Sequence, residues 1–267
     1  MTINTKRNVS KFDLMHAEEY RLKRKEDKEA YLKEILRNAR IDAGIVKFKF
    51  GDIDLKFYYN SQRQLTNTLN RIVTVFLSEE YKGLDVKGHI VVDVGANIGD
   101  SAIYFAIKGA EHVYAFEPFP YSCKIAEHNV KLNDLTERIT VVNEGCGRKE
   151  LVNIDETFEN IGSSTIIESE SGKKIAISSL SDVITNYNIK DGLLKIDCEG
   201  CEYPFLLNSN NENIRAFQRI IVEYHQGYRN LERKLKNAGF RVIHTPPRSN
   251  DHSALTGIIY AERINQT

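Results

Sequence analysis

The alternation of apolar and charged positions changes character part-way along the chain. Residues 12–40 lack Gly and Pro and set Leu14, Leu22, Tyr31, Ile35 and Leu36 among many charges, which predicts an amphipathic helix or a pair of helices. In IVKFKFGDIDLKFYY, residues 45–59, apolar and polar positions alternate on either side of Gly51-Asp52, the pattern of a β-hairpin. Leu65, Leu69, Ile72, Val73, Phe76 and Leu77 then recur at helical spacing within 65–81, and Lys82-Gly83 marks the stop. Residues 1–85 therefore read as a helical and β-hairpin cap.

From His89 the pattern becomes strand, helix, strand. HIVVDVG is an unbroken apolar run ending in Asp and Gly, as expected of a parallel strand covered on both faces. A helix (100–108), the strand HVYAFEP (112–118), a helix (121–132) and the strand ITVVNEG (139–145) follow. Residues 151–180 interrupt with strand-like pieces, LVNID, STIIES and KKIAISS, and predict a β-rich insertion. The repeat then resumes with a helix at 180–187, strand LLKIDCEG, a helix at 202–208, strand RIIVEYH and a helix at 229–238. FRVIHTP and LTGIIYAER close the chain as an antiparallel pair. This alternation predicts an α/β fold, a doubly wound Rossmann-like sheet over 86–267.

Composition narrows the class. The 267 residues are 41% apolar and 28% charged, an ordinary globular balance with ample material for a core. No stretch reaches the length of a membrane span and the N-terminus lacks the apolar segment of a signal peptide, so a cytoplasmic location is expected. Lys/Arg and Asp/Glu number 37 each, which disfavours nucleic acid as the partner of the whole molecule. Residues 1–40 do carry eleven basic against seven acidic residues, read here as a solvated helix face. Four cysteines without regular spacing suit a reducing compartment better than a disulfide framework.

The loop after the first strand, Asp93-Val94-Gly95-Ala96-Asn97-Ile98-Gly99-Asp100, has glycines that let a ligand approach the following helix. Asn97 occupies the position where a dinucleotide fingerprint requires glycine for close contact with a pyrophosphate. A ligand without phosphates, such as S-adenosylmethionine, relaxes that need, and Asp93 places an acid near its ammonium. Glu117 ends the second strand, 24 residues after Asp93, and suits bidentate bonding to ribose hydroxyls.

The segments VVDVGANIGDSAIYFA (91–106), YAFEPFP (114–120), NEGCG (143–147) and LLKIDCEGCE (193–202), in this order, resemble the FkbM family of class I S-adenosylmethionine-dependent methyltransferases. The resemblance covers 89–262. It implies methyl transfer to an oxygen, typically a hydroxyl of a sugar or natural product, and a sheet of order 3-2-1-4-5-7-6 with the seventh strand antiparallel. It also implies that Asp93, Gly95, Ala96, Asn97, Gly99 and Asp100 surround the methionine part of the cofactor. Glu117, with Pro118 beside it, would take the ribose, and Asn143, Glu144 and Gly145 would lie near the adenine.

Alternation along LLKIDCEG puts Lys195, Asp197 and Glu199 on one face at a strand's carboxyl end, where open α/β sheets bind ligands. Methyl transfer from a sulfonium is an in-line displacement, and an aliphatic hydroxyl needs a base to remove its proton. Asp197 is the first candidate, with Glu199 beside it and Lys195 behind. On the next strand Glu223 and His225 share a face, and His225 is a second candidate base. Asp197, Glu223 and His225 could also hold magnesium or manganese, an alternative the residues allow but do not favour. Cys198 and Cys201 form a Cys-x-x-Cys, but alternation sends Cys198 to the opposite face, so both are expected to fill space without a joint role.

The expected partner is thus a small-molecule or glycan acceptor, with self-association into a homo-oligomer left open. Two other readings stand beside it: an RNA or protein methyltransferase, and a non-catalytic binding module on the same fold. The Asn/Asp-Pro-Pro-aromatic tetrad common in amino-methylating enzymes does not occur.

Overall fold

In a computed structural model, the described residues are 39–155, 158, 170, 172–249 and 255–264. The helix expected across 12–40 falls outside them except at its last two residues, as does STIIES. Arg40 instead opens strand β1 (Arg40–Asp42), which extends the hairpin of β2 (Ile45–Phe50) and β3 (Ile53–Tyr58) into a three-stranded sheet. Helix α1 (Gln62–Arg71) starts where the Ser61 hydroxyl accepts the Gln64 amide, and it widens into a π-helical segment, Ile72–Leu77. Sequence periodicity does not distinguish that widening from a continuing α-helix.

The principal sheet contains β4 (Ile90–Val94), β5 (His112–Phe116), β6 (Ile139–Val142), β10 (Gly192–Ile196), β11 (Phe217–Tyr224), β12 (Phe240–His244) and β14 (Leu255–Arg263). They lie in the order β12-β14-β11-β10-β4-β5-β6, with the short β13 (Arg248–Ser249) on β14. The first five in chain order run parallel, and β14 is antiparallel to both β11 and β12. Between β6 and β10, β7 (Gly145–Cys146), β8 (Glu150–Ile154) and β9 (Lys173–Ser178) form a small separate sheet.

Alternation along the strands divides the core in two. Val91 and Leu193 face α2 (Asp100–Ile107), α3 (Pro120–Leu132) and the cap, whereas Val92 and Leu194 face α4 (Leu180–Asn186), α5 (Glu202–Leu207), α6 (Asn211–Ile214) and α7 (Arg229–Asn237). The cap belongs to the first core. Phe76 is fully buried and meets Phe48, Phe57 and Tyr104 edge-on at centroid distances of 5.3, 5.7 and 5.8 Å. Polar bonds complete the join. Asn129 of α3 and Asn133, which caps its C-terminus, accept the amides of Tyr58 and Lys56 at 2.7 and 2.9 Å, and Asn133 returns a bond to the Lys56 carbonyl. Two asparagine side chains thereby serve β3 as a neighbouring strand would. The hairpin is anchored to the helix that follows β5, and this places α1 over the carboxyl ends of β4 and β10.

Candidate active site

A cavity of about 470 Å³ opens at those carboxyl ends. Its wall includes Val94 at the end of β4, Gly95 and Asn97 after it, Glu117 to Phe119 after β5, Gly145 to Arg148 around β7, Asp197 to Cys201 after β10, and Arg71 from the cap. The volume falls in the range of sites for cofactors and drug-sized ligands.

The loop after β4 requires its first glycine. Gly95 has φ +78°, and a Cβ there would lie 1.9 Å from the Asp197 carbonyl oxygen. The two loops therefore touch backbone to backbone. Asn97 follows in a left-handed conformation, φ +46°, and its amide donates to Glu117 at 2.8 Å. Its side-chain oxygen is buried and has no hydrogen-bond partner among the described residues. Glu117 accepts Phe119's amide with its other oxygen, 3.0 Å away. Burial pushes the Glu117 carboxyl up to about 7, even though the amides of Phe119 and Asn97 and the nearby cations Lys195 and Arg71 pull it down.

Other residues expected near the cofactor hold its walls in place. Asp93 is fully buried outside the cavity wall, where it accepts the Ser101 hydroxyl at 2.6 Å and pairs with Lys195 at 2.9 Å. Ala96 and Asp100 are buried behind the loop, and Gly99, at φ +83°, caps α2. Burial raises the Asp100 carboxyl, opposed by Arg71 and Lys195. Asn143 donates to the carbonyls of Glu117 and Pro118 at 3.0 and 3.1 Å, and Glu144 accepts from Ser178. Of the NEG segment only Gly145 reaches the cavity wall.

Lys195 lies directly opposite Asp93 in the parallel register of β10 and β4. Its ammonium bonds to Asp93 and to the carbonyls of Val94 and Gly95, and it sits 5.6 Å from the Tyr81 ring centroid. Burial would lower this ammonium's pKa, but Asp93 and Asp197 outweigh it and the net shift is upward. Lys195 is thus surrounded behind the loop, and the cavity is faced by Asp197 and Glu199.

Asp197 is flanked by the Tyr81 hydroxyl at 3.5 Å, Arg71 at 3.9 Å and His225 at 3.9 Å. Burial alone would raise its pKa; Lys195, Arg71 and His225 together hold it below the usual carboxylate value. His225 bonds to Glu202 through Nδ1 at 3.0 Å and lies 3.3 Å from Glu199 through Nε2. Burial disfavours the imidazolium, but Glu199 and Glu202 raise the group to about 11. These acids favour the charged form of the ring, which lies behind the wall that Asp197 and Glu199 form. Asp197, Glu223 and His225 bring three ligand-type atoms within 4.8 Å of one another.

The cysteine expectation is corrected here. Strand β10 ends at Ile196, so alternation no longer governs Cys198. Glu199 at φ +56° and Gly200 at φ +120° curl the chain back, and Cys198 and Cys201 come within 5.5 Å at Cα and form a disulfide on the cavity wall. Sequence reasoning also missed Arg71, which carries no motif. Glu202 was missed too, although its place three residues after Glu199 puts it at the start of a helix.

With this geometry in view, the model of the methyltransferase FkbM domain matches residues 93–242. The chain belongs to the FkbM methyltransferase family. Methyltransferase sdnD of Sordaria araneosa is 26% identical over 191 residues, covering 57% of this chain and 73% of that protein. Ribosomal protein L11 methyltransferase of Carboxydothermus hydrogenoformans is 32% identical over 96 residues, 36% of this chain and 32% of that protein. The match thus spans about a third of that bacterial relative. Among solved structures, M. jannaschii TYW2 in complex with AdoMet superposes with a TM-score of 0.44 at 16% identity, covering 84% of this chain and 89% of that one. Among the described residues of this FkbM-family chain, no helix is long and apolar enough to cross a membrane.

The disulfide is tested by thiol titration without reductant. Cys123 and Cys146 are buried, and burial pushes their thiols up, Cys123 to about 12. The native protein should show no fast-reacting thiol, the denatured protein two, and the denatured and reduced protein four. Four thiols on denaturation alone would show Cys198 and Cys201 to be unbonded.

Proposed function

We propose that the protein transfers a methyl group from S-adenosylmethionine to a hydroxyl of a sugar, glycan or natural-product-like acceptor, with Asp197 as the base. The observation that carries this reading is the placement of Asp197 and Glu199 on the cavity wall, one backbone contact away from the Gly95 loop.

The residues suit the cofactor that the family implies. A buried Asn97 oxygen with no partner among the described residues asks for a donor from a ligand, and Glu117 presents a carboxylate to the cavity for hydroxyl groups. Gly95 and Asn97 would hold the amino-acid end, Glu117 the ribose, and Gly145 the neighbourhood of the base. When bound, S-adenosylmethionine supplies an electrophilic methyl on a positively charged sulfur. The chain's own residues then align the acceptor and take its proton. Asp197, kept ionised by Lys195, Arg71 and His225, would accept that proton at a carboxylate oxygen as the methyl leaves sulfur for the acceptor oxygen. The His225 imidazolium holds Glu199 in its left-handed conformation, where it can orient the acceptor hydroxyl. Lys195 positions the cofactor loop and touches no substrate. Acceptor specificity belongs to the cap and the β7–β9 sheet, which bound the remaining sides of the cavity.

Replacing Asp197 with Asn tests the base. Methyl transfer should fall about 10²- to 10⁴-fold while S-adenosylhomocysteine affinity stays within a factor of about three. Unchanged turnover would remove Asp197 from the chemistry. An acceptor panel of sugars, lipids, RNA and peptides, run with and without magnesium, separates the readings. Methylation confined to nitrogen would contradict a hydroxyl acceptor, and turnover only with the metal would reassign Asp197, Glu223 and His225 as ligands.

Glu117 generates a pH dependence. Its carboxyl, raised to about 7, must ionise to accept two ribose hydroxyls, so binding favours the deprotonated form. S-adenosylhomocysteine affinity should be flat above pH 8 and weaken by up to about tenfold per unit as pH falls below 7. Glu117→Gln should be weaker throughout and flat over this range. A wild-type affinity independent of pH between 5 and 8 would rule the role out.

A further inference from the structure

Among the described residues of the cap, one charged side chain, Arg71, lines the cavity. Arg71 ends α1, where the helix passes into its π segment, a local change of winding that often accompanies functional positions. Its side chain is 23% exposed and lines the same cavity as Gly95, Asn97 and Asp197. Among the described residues the guanidinium donates no hydrogen bond. Its ion pair with Asp197 spans 3.9 Å, well beyond donor–acceptor contact. Two pairs elsewhere are closer: Lys195 sits 2.9 Å from Asp93, and Lys149 2.7 Å from Asp182. A five-donor fork in a partly desolvated site, held near acids without bonding to them, lacks an acceptor of its own.

Geometry limits what that acceptor can be. Asp197 touches the Gly95 loop through its backbone and approaches Arg71 through its carboxylate, so one residue separates Arg71 from the loop that would carry the amino-acid end of the cofactor. That end is a zwitterion, with carboxylate and ammonium on one carbon. Its carboxylate calls for a cation, and Arg71 provides one on the cavity wall. The other basic residue on the wall, Arg148, follows β7 at the opposite, Gly145 side. Lys195 is enclosed by Asp93 and two carbonyls and cannot serve.

We infer that Arg71 is the receptor for the cofactor's carboxylate, so that the N-terminal cap completes the cofactor site as well as bounding the acceptor. This rests on the S-adenosylmethionine reading above. Arg71 in this role is a binding residue: it fixes the amino-acid end by a forked, charge-assisted pair and leaves the adenosine untouched.

Two ligands separate the parts. S-adenosylhomocysteine carries the carboxylate, and 5′-methylthioadenosine keeps the adenosine and thioether but lacks the amino-acid end. Titration calorimetry on the full chain should show Arg71→Ala weakening S-adenosylhomocysteine about a hundredfold and methylthioadenosine less than about twofold. Arg71→Lys keeps the charge beside Asp197, which protects the fold, but loses the fork; it should weaken S-adenosylhomocysteine about tenfold with the same selectivity. Either folded variant binding S-adenosylhomocysteine as the wild type does would overturn the inference. So would an equal loss of both ligands, which would mean that Arg71 acts through the fold. A wild type that binds neither ligand would instead refute the cofactor reading on which the inference stands.

Discussion

The buried pair between Lys195 and Asp93 is the constraint on which the site depends. Its partners occupy matching register positions on adjacent parallel strands, and both are almost fully removed from water. Desolvating two charges is costly, and their attraction offsets that cost only when further polar contacts satisfy the remaining valences. Here the contacts are supplied by the carbonyls of Val94 and Gly95 and the hydroxyl of Ser101. The ammonium thereby fastens the backbone of the β4 loop to β10. That same loop presses Gly95 against the Asp197 carbonyl, where no side chain would fit. The Gly95 loop and the acid that follows β10 are in this way held as one unit.

Around that unit the charges are layered. Lys195 lies behind the strands, Asp197 and Glu199 face the cavity, and His225 and Arg71 flank the acids. Asp197 has cations on several sides and stays ionised despite burial. Glu202, fully buried, secures the arrangement by accepting both the Nδ1 proton and the backbone amide of His225 and, with its other oxygen, the Gly200 amide. Glu199 and Gly200 can therefore keep backbone conformations that an ordinary strand-to-helix turn would avoid.

Much of this was legible in the chain itself. The strand–loop–helix pattern exposed the Gly95 loop, and the strand-end acids Glu117 and Asp197 could be placed at carboxyl ends by periodicity alone. Three features were not legible. Arg71 reaches the cavity only because asparagines of α3 hold the hairpin and so set the position of α1, a long-range contact that local pattern does not encode. The disulfide depends on β10 stopping at Ile196 and on two successive positive φ angles, whereas alternation assumed a strand running on to Gly200. The charge state of His225 depends on Glu202, which is distant in sequence and brought close by the packing of α5 against β11.

A mutant cycle on the central pair tests this account most directly, with unfolding free energy and S-adenosylhomocysteine affinity read together. Lys195→Met leaves Asp93 buried without its cation and should cost about 3–5 kcal/mol of stability as well as most cofactor affinity. Adding Asp93→Asn should restore much of the stability, because the uncompensated charge is gone, but not the affinity, because the loop has lost its fastening. If Lys195→Met binds the cofactor product as tightly as the wild type while remaining folded, the pair does not organise the site and the account is contradicted.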